Sequence, residues 1–198
     1  MTRRAPFRIN KLKSVKPFIL NCFRISFDSM QVFTLGYQGL GLEQYVRTLG
    51  ESGIGVVLDV REKAWSYNRK YIGSVMERAL SEAGIRYLHL KDCGNPSINR
   101  KTAASPEECL SRYRSYLQEN KSCLELLMDQ ISIADSLGKP ACLTCFEHDP
   151  IDCHRSILLE LAIELQPALK ICHLIVTADV PFRTVGRRPV SDTIALQL

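Results

Sequence analysis

The residues richest in chemistry lie in one run, Cys145-Phe146-Glu147-His148-Asp149-Pro150-Ile151-Asp152-Cys153-His154-Arg155-Ser156, with two thiols, two imidazoles, three carboxylates and a guanidinium. An apolar segment precedes the run and an amphipathic one follows it, so it reads as a strand-to-helix turn. If the helix opens near Cys153, the partial positive charge of its first turn stabilises a thiolate there, and His154 and Arg155 add to the effect. Cys153, His154 and Glu147 are then the candidates for nucleophilic or acid/base work. The bland alternative is an inert, packed Cys153, because free cysteine is among the most buried residue types. The N–H groups of the same helix start, with Arg155, suit an anion and need no reactive thiol. Cys145, His148, Cys153 and His154 are also zinc or iron ligand types, although they lack paired C-x-x-C spacing. Arg155 follows Cys145 by ten positions and Cys153 by two, which rules out a Cys-x5-Arg phosphatase loop.

A second group surrounds Asp59-Val60-Arg61, where strand alternation puts Asp59 and Arg61 on one side. The pair is either a strand-end ion pair that fixes the next loop or an anion-reading Arg61 held by Asp59. The loop beyond, Trp65-Ser66-Tyr67-Asn68-Arg69-Lys70-Tyr71, mixes aromatic planes with cations, a composition suited to a base, sugar or phosphate. Trp65 and Tyr67 serve equally well as covers for a sheet edge. The turn Gly36-Tyr37-Gln38-Gly39-Leu40-Gly41 brings backbone near a ligand without matching G-x-G-x-x-G or a P-loop. His89 and His173, in short alternating segments, read as hydrogen-bonded structural histidines.

Positioning these groups requires alternating elements. Strands are expected at 31–35, 55–60, 86–90, 141–145 and 171–176. Helices are expected at 42–50, 72–83, 105–119, 123–137 and 154–165, with a long loop over 94–105. Ser105-Pro106-Glu107-Glu108 has the form of a capping box. Five strands separated by helices predict an α/β fold, a single domain with a mostly parallel sheet whose carboxyl edge carries the site.

The chain has 198 residues and a formal net charge of +5. Residues 1–30 hold seven cations against one acid, a net of +6, so the remainder nets −1. A near-neutral body lacks the basic surface of a DNA-binding domain and leaves nucleic acid only through a local patch. Residues 1–29 show no helix or strand periodicity and read as a disordered or mis-assigned extension, with an organelle presequence as the rival. The α/β domain is expected over 30–178, followed by an irregular tail over 179–198. Eight cysteines without a signal peptide point to reduced thiols in the cytoplasm. No apolar run is long enough to span a bilayer, so no membrane partner is expected.

Thr34-Leu35-Gly36-Tyr37, Leu58-Asp59-Val60-Arg61, Ala83-Gly84-Ile85-Arg86-Tyr87-Leu88-His89-Leu90, Gly94-Asn95-Pro96 and Cys145-x-Glu147-x5-Cys153-His154-Arg155 together resemble the bacterial domain-of-unknown-function 488 family. The resemblance covers roughly residues 32–175. It implies an α/β protein without an established substrate or reaction. It also gives weight to Gly36, Asp59, Arg61, Cys145, Glu147, Cys153, His154 and Arg155 as the positions matching the family's motifs. A proline commonly follows D-V-R in that family, whereas Glu62-Lys63-Ala64-Trp65 follows here, so no role is borrowed for that loop.

Three functions fit these residues. The first binds a small anionic, nucleotide-like or phosphate-bearing ligand through Gly36, Asp59, Arg61, Arg155 and Trp65, with Cys153, His154 and Glu147 supplying thiol or acid/base catalysis. The second is a non-catalytic nucleotide or nucleic-acid module using the same arginines and the Trp65 loop. The third is a metal or redox-responsive thiol site. Residue types alone specify neither a cofactor nor an oligomeric state.

Overall fold

A computed structural model describes residues 30–176 and 193–196. The extension 1–29 lies outside the described residues, as does the tail 179–198 apart from one strand. In chain order the elements are β1 (Gln31–Gly36), α1 (Leu42–Glu51), β2 (Val56–Asp59), α2 (Gly73–Glu82), β3 (Arg86–His89), α3 (Ser97–Thr102), α4 (Pro106–Glu119), α5 (Lys121–Ser136), β4 (Ala141–Cys145), α6 (His154–Leu165), β5 (Lys170–Val176) and β6 (Thr193–Leu196). Every strand pair is parallel, in the order β3-β2-β4-β1-β5-β6. This is the expected single-domain α/β architecture. No helix among the described residues is long and apolar enough to cross a membrane.

Helices cover both faces of the sheet, which is why β2 and β4 are buried at every position and read as continuous apolar runs. Val32, Leu143 and their same-face neighbours pack under α4, α5 and α6. Phe33, Leu35 and Cys142 point the other way, against α1 and α2. The chain therefore leaves β1 toward one face and β4 toward the other, although these strands are neighbours. Such a switch point opens a crevice at the carboxyl ends of the strands, the usual ligand position in open α/β sheets. Here backbone bonds continue past the strand ends, from Tyr37 N to Cys145 O at 3.2 Å and from Gln38 N to Phe146 O at 2.9 Å. They bring the loop after β4 over the crevice.

Two elements differ from the sequence expectation. The loop expected over 94–105 contains α3, a six-residue helix with no buried residue and hence no apolar periodicity to read. A sixth strand, β6, pairs with β5 from within the segment read as an irregular tail, where four residues carry too little pattern.

Ser105 caps α4 as expected, while the reciprocal bond from Glu108 falls one residue before the cap. Ser105 accepts from the Glu108 N–H at 3.2 Å, and the Glu108 carboxylate reaches back to the Ala104 N–H at 2.6 Å. Ser105→Ala should cost about 1 kcal/mol of stability. Urea denaturation would show this as a lower midpoint with an unchanged slope.

Candidate functional site

The loop 145–153 folds back over the end of β1, and Gly36 makes that approach feasible. A Cβ at position 36 would stand 1.7 Å from the Glu147 carbonyl oxygen. Cys145 ends β4, and Cys153 is the N-cap of α6. His154 is the first residue of α6, and its Nε2 lies 2.7 Å from the Val60 carbonyl at the end of β2. A carbonyl oxygen only accepts, so Nε2 is the protonated donor and the Nδ1 edge faces the two cysteines. The buried Tyr113 ring of α4 meets the imidazole edge-on at 5.2 Å, while its hydroxyl donates to the Cys93 carbonyl at 2.5 Å.

These contacts bring Cys145, Glu147, Cys153 and His154 together, with one ligand-type atom from each lying within 4.8 Å of all the others. The Cys145 and Cys153 thiols each donate to Glu147 Oε2 at 3.0 Å. His154 Nδ1 lies 3.6 Å from Cys145 Sγ and 3.9 Å from Cys153 Sγ. Burial would raise the Glu147 pKa, but the two thiol donors outweigh it and hold the carboxyl below its ordinary value. Burial also opposes a charged His154, yet Cys153 and the Val60 carbonyl move its pKa upward. Cys153 is fully buried at 0% exposure. That burial, reinforced by Cys145, pushes its thiol well above the ordinary range. The thiolate expected at the α6 start is therefore not favoured, because desolvation exceeds the help from the helix terminus and His154.

Other residues singled out from sequence fall elsewhere. His148 is not in the cluster; its Nε2 lies 3.2 Å from the Val176 carbonyl, and Glu147 takes the fourth corner. Arg155 is 1% exposed, with Nη2 donating to the Glu147 carbonyl at 2.8 Å and Nε and Nη1 without a partner among the described residues. His89 Nε2 lies 2.8 Å from the Arg61 carbonyl, and His173 Nδ1 lies 2.8 Å from Thr34 Oγ1. Trp65 is 54% exposed, with its ring edge to face against Tyr67.

Asp59 and Arg61 form a buried ion pair, with Nε 2.8 Å from Oδ1 and Nη2 2.5 Å from Oδ2. Arg61 Nη1 donates to the Tyr37 hydroxyl at 2.8 Å and the Tyr71 carbonyl at 2.9 Å, and the Tyr87 hydroxyl donates to Asp59 at 2.6 Å. Burial opposes the Arg61 charge, but Asp59 and Tyr37 overcome it and raise the pKa. With its donors engaged internally, Arg61 has none left over for an anion. Gly36, likewise expected to approach a ligand, lies beneath Glu147 instead. Sequence reasoning missed Tyr113, which reads as ordinary core on the apolar face of α4, and Val60, which acts through its backbone.

An all-parallel α/β sheet whose switch point carries a C-x-E-x5-C-H cluster defines the class of this protein. A family model described as "Domain of unknown function DUF488" matches residues 41–162, and the chain belongs to that family. No curated protein and no solved structure is similar enough to add to that assignment.

Three outcomes follow from the geometry. Gly36→Ala should destabilise by about 1–3 kcal/mol or more through overpacking against the Glu147 backbone. Gly50→Ala, where a Cβ meets nothing within 4 Å, should instead raise the thermal midpoint. Asp59→Asn should cost about 3–5 kcal/mol, because it leaves the Arg61 charge buried and unpaired. Chemical denaturation of the Gly36 and Asp59 variants and a thermal melt of the Gly50 variant measure them.

Proposed function

We propose that Cys145, Glu147, Cys153 and His154 form a metal centre for a divalent ion of the zinc or iron class. The observation that carries this is the orientation of His154. Its Nε2–H is committed to a backbone carbonyl while Nδ1 faces two thiols and a carboxylate, the outer-shell arrangement of metal-ligating histidines. Tetrahedral zinc with thiolate, imidazole and carboxylate ligands has ligand-to-ligand edges of about 3.3–3.8 Å. The four thiol contacts, at 3.0–3.9 Å, approach that range before any adjustment, and every pair of ligand atoms lies within 4.8 Å.

Charge supports the same reading. With both thiols protonated, the Glu147 carboxylate and the Arg155 guanidinium offset one another. A divalent ion that displaces the two thiol protons leaves that sum unchanged, so loading adds no net charge to a buried region. A reducing, cytoplasmic setting suits this centre, because Cys145 and Cys153 both stand as thiols. The reading takes the place of a nucleophilic Cys153, whose burial and raised pKa work against attack on a substrate. A small anionic ligand at the same edge would have to use groups outside the Arg61 ion pair.

Elemental mass spectrometry of the full chain, purified without a metal-affinity tag, should find about one equivalent of zinc or iron. Cys153→Ala should lose it, and His148→Ala should keep it. A chelator should lower the thermal midpoint of the wild-type protein and leave that of Cys153→Ala unmoved. A metal-free wild type in which oxidised glutathione closes a Cys145–Cys153 disulfide would make the pair a redox site instead.

A further inference from the structure

We propose that the loop from Lys63 to Lys70, at the carboxyl edge of the sheet, is a docking surface for single-stranded nucleic acid. This inference does not depend on the metal centre. Trp65 is 54% exposed and Tyr67 93% exposed, with their rings edge to face at 4.6 Å. Aromatic rings normally contribute most when buried, so two adjacent rings left in water mark an interaction surface.

Their exposure does not come from a loose loop. Arg61 Nη1 holds the Tyr71 carbonyl at 2.9 Å and the Trp65 carbonyl at 3.4 Å. Gly73 N–H donates to the Ala64 carbonyl at 2.8 Å, and Asn68 caps the 3-10 turn Arg69–Tyr71 through the Lys70 N–H at 3.2 Å. The buried Asp59–Arg61 pair thus presents the rings in a preorganised loop, which lowers the ordering cost of binding.

The charge on this surface fits a polyanion. Lys63, Arg69 and Lys70 are exposed and have no ion-pair partner among the described residues. Glu62, the one acid between positions 62 and 71, is already bonded to Arg100 at 2.9 Å. Stacking planes flanked by cations are how proteins hold unpaired strands without reading sequence. A duplex offers these rings no free base face, and a mononucleotide would engage only part of the cation row.

Trp65 is the only tryptophan in the chain, so its emission reports on this loop alone. The full-length protein should be titrated with short oligothymidylate and oligouridylate across a salt series. Both should quench Trp65, and log affinity should fall against log salt with a slope of about −2, as three phosphate contacts on a single strand predict. Tyr67→Ala should weaken binding by roughly tenfold, the loss of one stacked base. Joint replacement of Lys63, Arg69 and Lys70 by Ala should remove most of the salt slope. These side chains are exposed, so melting curves of the variants should match wild type. Binding by anisotropy without a Trp65 response would place the nucleic acid elsewhere on the chain and overturn the proposal. A Trp65 response to anionic phospholipid vesicles but not to oligonucleotides would overturn it in favour of a membrane surface, and no response to either would overturn it outright.

Discussion

The loop after β4 lies within hydrogen-bonding distance of the loop after β1, and the candidate site depends on that closeness. In a parallel sheet with helices on both faces, the switch point between these strands would ordinarily stand open. Here the Tyr37 and Gln38 N–H groups hold the Cys145 and Phe146 carbonyls, and the absence of a side chain at Gly36 lets the Glu147 backbone come down on the strand end. The position that holds an exchangeable ligand in related architectures is thereby occupied by the protein's own thiols, carboxylate and imidazole. A resident ion suits such a place better than a passing substrate.

Two further interactions stabilise this arrangement from either side. On the β2 side, the Asp59–Arg61 pair joins the strand end to Tyr37, Tyr71 and Tyr87, so the loops after β1 and β2 share one polar network. On the opposite face, Tyr113 of α4 supports the His154 ring while Val60 sets its tautomer. The same network that rigidifies the Asp59 side keeps Trp65 and Tyr67 in water. A buried centre and an exposed aromatic loop are thus products of one edge of the sheet.

Much of this was legible in the sequence. Apolar runs such as Val-Val-Leu and Ala-Cys-Leu-Thr-Cys announce strands covered on both faces, and Ser105-Pro106 announces the start of α4. Cys145, Cys153 and His154 stood out by residue type and spacing. The choice between Glu147 and His148 as the fourth member was not legible, because adjacent residues in a turn point in directions set by tertiary contacts. The same holds for Arg61, where residue type permits either a ligand-reading or an internally paired guanidinium. Only Tyr37, Tyr71 and Tyr87, distant in sequence, decide between them. The short elements α3 and β6 carry too few residues to show a period.

X-ray absorption at the zinc edge of the zinc-loaded full chain tests the central claim most directly. The Cys145, Glu147, Cys153 and His154 centre predicts a first shell of two sulfur atoms at about 2.3 Å and two nitrogen or oxygen atoms at about 2.0–2.2 Å. A shell made wholly of nitrogen and oxygen, or one with four sulfurs, would contradict it.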